Sequence, residues 1–502
     1  MKKITLLSLL FIVFLSCSKD NEVVPEKEEE TEEPVVEVTL NNEVNNFVWK
    51  AMNSWYNWQE DVPNLADSKD DNTNNYYNYL NSYNTPKSLF ENLLYQYGEI
   101  DKFSWFIEDY VEQEKAFQGT STDFGFRPVL VRISETNIIL LVTKVSENSP
   151  ASEKGLKRGD IIIGIDGQKF TTTNVNTVVK NYSNETAEFI LGESDGVTEK
   201  GRISLTRREV SDNAIHLSKV FNDIDGKKVG YLVYNGFRSS YDKELNNAFA
   251  NFKSEGIQEL ILDFRYNGGG SVLTCGYLAS MIYGEGTANQ EVFAKTIFNK
   301  KHPNSGFTLP FLNGIFQYDS NGEYLQGQDI PINRLNGLSK IYVITSNNTA
   351  SASEMIINGL RPYINVVTVG ETTYGKNVGS NTLYDSPSSD YTDRNTANTS
   401  HKMAMQPITF QIYNKLNQSE YVNGFTADIE VNEFSSWNNF LAFGDENEIL
   451  LKAVLDNIKG VASKPQDFSN IQVLEENLQK NRFEKEMYFE SDFLKNRENF
   501  NF

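Results

Sequence analysis

The chain has 502 residues, with 46 Lys and Arg against 68 Asp and Glu and a net charge of −22. That balance repels nucleic-acid phosphates and argues against such a partner. Three histidines and two cysteines, with no H-E-x-x-H and no paired C-x-x-C, argue against a zinc enzyme, and no metal or cofactor is implied.

Lys2 and Lys3 precede an apolar run, Ile4–Leu15, that is too short for a membrane span. L-S-C follows at Leu15–Cys17 and resembles a bacterial lipoprotein signal, which implies cleavage before Cys17 and lipidation of its thiol. The plainer alternative is a secretory signal with an incidental cysteine. Residues 1–16 are therefore expected to be a signal peptide, and the acidic residues 17–40 an extended tether with too little apolar surface to fold. Lys19-Asp20 resembles an export signal of lipoproteins displayed on the outer face of Gram-negative bacteria. The expected localisation is an outer-membrane lipoprotein, anchored through Cys17 and facing the surface if that signal is read, the periplasm otherwise. With Cys17 lipidated, Cys275 has no disulfide partner and is expected to pack as a small hydrophobe.

Residues 41–118 read as a helical, aromatic-rich domain. Phe47, Ala51, Trp55 and Trp58 fall on one helical face, and Leu89, Leu93 and Leu94 form the apolar face of a run over Pro86–Tyr97. Residues 119–210 read as short strands. Phe126–Ile133 and Ile138–Val145 are β-like; a short helix ends at Gly155, and strand Ile161–Ile165 closes at the hairpin signal Asp166-Gly167. The order S-P-A-S-E-K-G-L-K-R-G-D-I-I-I-G-I-D-G over Ser149–Gly167 resembles a PDZ domain. Such domains bind peptide C-termini by adding a strand to a sheet edge. The resemblance makes Phe124, Gly125 and Phe126 the peptide-binding carboxylate loop; a simple turn in a spacer module is the alternative.

From Lys227 the chain alternates strand and helix: Val229–Tyr234, helix Asp242–Glu255, Gln258–Phe264, Lys340–Thr345 and Val366–Gly370. This is an α/β core of residues 211–460, in which reactive groups gather after the carboxyl ends of strands. Three segments fall there. N-G-G-G at Asn267–Gly270 can turn backbone amides inward. T-A-S-A-S-E at Thr349–Glu354 starts a helix at Ser351. G-E-T-T-Y-G-K ends at Lys376. A serine hydroxyl needs a base to act as a nucleophile, and a desolvated neutral lysine can serve in place of histidine. Small residues chosen for packing at a helix start are the competing explanation. Residues 461–502 are charged and expected to be helical over Ile471–Phe489.

The succession of helical segment, PDZ-like module, L-D-x-R-x-N-x-G-G-like strand end, S-A-S-E and G-K resembles the carboxyl-terminal processing (tail-specific) serine peptidases, from about residue 40 to about 455. The resemblance implies a multidomain α+β protein: a helical N-terminal domain, a PDZ-like β-rich module and an α/β Ser/Lys protease core of the ClpP/crotonase kind. It makes Ser351 the nucleophile and Lys376 the base, and has Gly269 or Gly270, with Ala352, donate amides to an oxyanion. Where many members carry a glutamine four residues after the lysine, this chain has Ser380, the candidate third catalytic residue. G-F-T-A-D at Gly424–Asp428 has Ala427 in place of the family's proline. Asp263, Arg265 and Glu354 also fit the pattern and are expected to tie loops to the core. The implied function is a membrane-anchored endopeptidase acting on proteins with accessible C-termini. The alternative is a catalytically inactive peptide-binding lipoprotein that keeps the protease fold.

Overall fold

The computed structural model describes residues 37–304, 306–461, 471–475, 478 and 485–500. The signal, Cys17 and all but the last residues of the tether lie outside them. Among the described residues, no helix is long and apolar enough to cross a membrane.

The N-terminal domain is built on α1 (Glu43–Trp55), α2 (Thr73–Asn81), α3 (Pro86–Asn92) and α4 (Tyr110–Phe117). The Asn42 side chain accepts from the Val44 amide and caps α1. Phe47, Ala51 and Trp55 are buried, as their spacing requires. Trp58 falls beyond the helix, because the chain turns extended at Tyr56. Likewise α3 stops at Asn92, short of the expected Tyr97, although Leu89 and Leu93 are fully buried.

The β-rich module is one antiparallel sheet of β1 (Phe126–Arg132), β2 (Ile138–Val145), β3 (Ile161–Ile165), β4 (Thr186–Gly192) and β5 (Glu199–Thr206). Ser149 and Ser152 cap the short helix Pro150–Glu153 reciprocally. Gly125 has φ +86°, and a Cβ there would lie 2.0 Å from that of Ser149, so only glycine fits.

Among the described residues, the core is built on two six-stranded sheets. In the first, β6 (Ile215–Ile224) runs antiparallel to β7 (Lys227–Tyr234). After α5 (Asp242–Glu255), β8 (Glu259–Asp263) pairs parallel with β7. The second sheet begins with β9 (Gly270–Ser271), followed by the wholly buried helix α6 (Val272–Ile282), β10 (Val292–Phe298) and β11 (Thr308–Pro310). The chain returns to the first sheet through β12 (Lys340–Thr345), α7 (Ala352–Leu360) and β13 (Asn365–Gly370). Then follow β14 (Val378–Ser380), β15 (Ile408–Tyr413), β16 (Ile429–Glu430) and α8 (Ile449–Ile458). The first sheet has the order β6-β7-β8-β12-β13-β16. Its apolar strands form a nearly continuous buried layer, as both faces are covered.

The C-terminal region differs from the helix expected over Ile471–Phe489. Its described parts are two short strands, β17 (Gln472–Glu475) and β18 (Met487–Tyr488), a single turn of helix at Ser491–Lys495 and a 3-10 turn at Arg497–Asn499. The reason is tertiary. β17 pairs with β1 of the β-rich module, and β18 enters the second core sheet between β9 and β14, giving the order β9-β18-β14-β15-β10-β11. Backbone pairing on both sides of β18 overrides the weak helical bias of a charged stretch.

Module and core are joined by a buried ionic cluster. Arg158 of the module reaches Glu433 at 2.7 Å and Glu448 at 3.3 Å. Arg265 of the core meets the same two carboxylates at 2.7 Å, and Asp263 at 2.6 Å. Asp263 and Arg265 thus fix the strand end from which the glycine loop departs.

Candidate active site

The small polar residues before α7 fasten two loops together. The Thr349 hydroxyl donates to Phe264 O at 2.8 Å, the Ala350 amide to Asn267 O at 3.2 Å, and the Ser353 hydroxyl to the same carbonyl at 3.0 Å. A larger side chain at these positions would separate the helix start from the N-G-G-G loop. Ser351 lies between them with φ +62° and ψ −118°, a conformation that L-residues hold only when their surroundings impose it. Ser351 is fully buried, and its Oγ has no hydrogen-bond partner among the described residues.

Glu354 holds this arrangement. Its Oε2 accepts from the Ser351 amide at 2.9 Å and from the Lys376 amide at 2.8 Å. Its Oε1 accepts from the Gly375 amide at 2.7 Å and the Thr373 hydroxyl at 2.6 Å. Burial pushes its carboxyl above the ordinary range, opposed by these hydrogen bonds.

The glycine loop lies against Ser351. A Cβ at Gly269 (φ +113°) would fall 2.6 Å from Ser351 Cβ and 2.9 Å from Ala352 N. The Gly269 amide is taken by Asn267 Oδ1 at 2.9 Å, whereas the Gly270 amide points at a peptide carbonyl, Glu486 O, at 2.6 Å. Gly270 (φ +135°) is equally constrained, since a Cβ there would meet Phe237 O at 2.1 Å. Cys275, one turn into α6, is buried and donates its thiol to Ala352 O at 3.3 Å; burial raises its pKa.

Lys376 has no exposed surface. Its Nζ donates to Lys485 O at 2.7 Å and to Glu486 Oε2 at 3.2 Å, and sits 4.7 Å from the Phe103 ring centroid. Burial raises the Glu486 carboxyl, and the Lys376 charge pulls it back. Ser380 Oγ bonds Glu486 Oε2 at 3.2 Å and accepts from Gln406 Nε2 at 2.9 Å, not from Lys376. Gln406 is held in turn by Gln113 of α4 and by Thr382. Ser351, Ala352, Gly269, Gly270, Lys376 and Ser380 are therefore gathered in one place. Phe103, Gln406, Gln113 and Glu486 are additions that no sequence motif marks, because each arrives from a distant segment.

Phe124, Gly125 and Phe126 lie in the β-rich module. Both rings pack into its apolar core, and the Gly125 amide donates to Asp123 Oδ1 at 2.5 Å. The histidines are placed elsewhere: His302 meets Ser54, Trp55 and Asp390; His401 meets Asp385; His216 packs on Phe443. Among the described residues, no cluster of three or more His, Cys, Asp or Glu is placed to hold a metal ion.

Family models match three stretches: "Peptidase S41 N-terminal domain" over residues 43–105, "PDZ domain" over 115–186 and "Peptidase family S41" over 228–431. Among curated proteins, the chain is 23% identical over 305 residues to a probable CtpA-like serine protease of Staphylococcus aureus, covering 60% of this chain and 54% of the relative. It is 24% identical over 278 residues to the carboxy-terminal processing protease CtpA of Bacillus subtilis, covering 55% and 52%. The chain thus spans about half the length of these relatives. Among solved structures, a putative S41 protease from Bacteroides fragilis is similar with TM-score 0.62 and 25% identity, over 85% of this chain and 99% of that one. With S41 models matching on both sides of a PDZ domain, the chain belongs to peptidase family S41.

Proposed function

We propose that this protein is a serine endopeptidase that uses Ser351 and Lys376. The observation that carries the reading is the Gly270 amide, which meets a peptide carbonyl at 2.6 Å in a loop pressed against Ser351. In the reaction, Ser351 Oγ attacks the carbonyl carbon of a substrate strand while the Lys376 amine takes its proton. The amides of Gly270 and Ala352 stabilise the oxyanion. The peptide C–N bond breaks as Lys376 returns the proton to the leaving amine. Water then hydrolyses the acyl-enzyme by the same route. Ser380 is bonded by Gln406 and makes no bond to the amine itself. The PDZ domain presents protein C-termini to this site, and a lipid on Cys17 holds the enzyme at the outer membrane.

The test is intact-mass detection of an acyl-enzyme on Ser351 with an activated ester or peptide substrate, absent in Ser351→Ala. One observation favours the second reading, an inactive peptide-binding lipoprotein: Lys376 is bonded to the chain's own C-terminal segment and not to Ser351. Peptide binding without acylation under any condition would select it.

A further inference from the structure

The C-terminal segment stands where a substrate would stand, at both peptide-recognising sites of the molecule. In the core, β18 fills the slot between β9 and β14 in register, Met487 opposite Gly270 and Tyr488 opposite both Ser271 and Ser380. Its leading carbonyl, Glu486 O, takes the Gly270 amide. The Lys485 carbonyl and the Glu486 carboxylate take hydrogen bonds from Lys376 Nζ. Downstream the segment is anchored. Tyr488 stacks on Phe117 at 4.0 Å, and Phe489 packs against Phe307, Phe410 and Phe493. At the PDZ domain, β17 runs antiparallel to β1, the strand that leaves the candidate carboxylate loop, with Gln472 opposite Arg132 and Val473 opposite Val131. A peptide ligand would add to such an edge in the same way. Leu478, further along, packs against the apolar cluster of Phe124, Phe126 and Val178. A cavity of about 160 Å³ lies between the two sites, lined among others by Gly125, Lys144, Gly269, Lys485 and Tyr488.

We propose that the stretches 472–475 and 485–488 together act as an internal competitor, the first on the PDZ edge and the second in the catalytic slot, and keep the peptidase latent until they are displaced. The proposal rests on the Ser351/Lys376 reading of the site. The segment inhibits rather than reacts for two reasons. The Lys376 amine is engaged as a donor to Glu486 and Lys485, so it is not available to take the Ser351 proton. The Phe489 and Phe493 anchor also holds the leaving side of the Glu486–Met487 bond in place, so that separation of products is prevented even if the bond opens. A substrate must displace strand pairing on both sides of β18.

The test uses the full chain with two substitutions, Glu486→Lys, which sets like charges against each other at Lys376, and Met487→Asp, which buries a charge in the sheet. Hydrogen exchange reports docking without any chemistry: in a Ser351→Ala background, the amides of residues 487–488 and of Gly270 should be protected, and the two substitutions should release them. Labelling of Ser351 by a fluorophosphonate reports access. Removing one charge-assisted contact should speed labelling and peptide cleavage by roughly ten- to hundred-fold over wild type. Fast exchange of 487–488 in the unsubstituted tail overturns the proposal, as does equal labelling of wild type and both variants; neither result touches the protease reading. Intact mass showing wild type converted to a chain ending at Glu486 makes the segment a substrate and also overturns it. Protected, releasable amides with no labelling of Ser351 in any variant would end the protease reading, and the competitor proposal with it, while leaving the docking measured.

Discussion

Ser351 and Lys376 are tied by their backbone amides to the same carboxylate oxygen, Oε2 of Glu354, at 2.9 and 2.8 Å. The relationship between Ser351 and Lys376 is thus set first through main chain, and only then through side chains. Glu354→Ala would orphan buried donors on Ser351, Thr373, Gly375 and Lys376, each costing about 1–3 kcal/mol if left unpaired. The expected outcome is a lower melting temperature together with loss of acylation. Glu354→Gln should be milder in stability, since one carbonyl acceptor remains. Thermal unfolding and fluorophosphonate labelling of the two variants measure this.

Substitution within the dyad should abolish turnover without unfolding the chain. Ser351→Ala, Lys376→Ala and Lys376→Arg are all expected to be inactive, the last because a guanidinium cannot accept the proton. The losses should not add in Ser351→Ala/Lys376→Ala, as the two act as one unit. Ser380→Ala should cost less, because its contacts run to Glu486 and Gln406. Cleavage assays in the Glu486→Lys background, where the slot is open, separate these effects from latency.

Gly269→Ala places a methyl 2.6 Å from both Ser351 Cβ and Glu486 O, at a φ of +113° that alanine resists. It should shift the loop and lower kcat on the order of 10²-fold or more, as removal of an oxyanion donor does. KM should change less. Steady-state kinetics in the open-slot background are the measurement.

Docking of the tail should weaken as pH rises. Glu490 follows β18, and burial raises its carboxyl from the usual 4.5 to about 7, with Asp492 adding in the same direction and Ser271 and Ser239 opposing. Asp242, Tyr277, Tyr318 and Tyr488 face it, with Arg238 near Tyr488. Because the docked value lies above the undocked one, this stabilisation is complete below about pH 4.5 and is lost as pH climbs through about 7. Glu486, also raised by burial, acts with the same sign. Exchange of the 487–488 amides should quicken over that window, and Glu490→Gln should flatten the response.

At the PDZ domain, a peptide with a free C-terminus should bind more tightly than its amidated form once the tail is undocked. Hydrogen bonds to a charged carboxylate contribute roughly 1.5–3 kcal/mol. The Gly125 amide must leave Asp123 to take part. Calorimetry with paired peptides on Ser351→Ala/Glu486→Lys decides it, and equal affinities would remove Phe124–Phe126 from the binding role.

Much of the core was legible because its signals are local. The apolar run through Leu262, the turn at Gly268–Gly270 and the small residues around Ser351 each follow from backbone sterics or burial within a few positions. The same holds for Gly125, whose fit against Ser149 is a short-range matter. Sequence alone also brought Ser351, Lys376 and the glycine loop to one sheet end, since strand–loop–helix order dictates that placement.

What only the tertiary structure decided concerns partners that arrive from afar. Phe103 over Lys376, Gln406 on Ser380 and the Arg158 bridge from module to core have no local signature. The C-terminal region is the sharpest case. Its composition favours a charged helix, yet residues 487–488 become a strand because β9 and β14 leave a slot with unpaired backbone on both sides. A strand's stability lies in its neighbours' hydrogen bonds rather than in its own residues, so no pattern within Lys485–Tyr488 could announce that it would lie against Lys376.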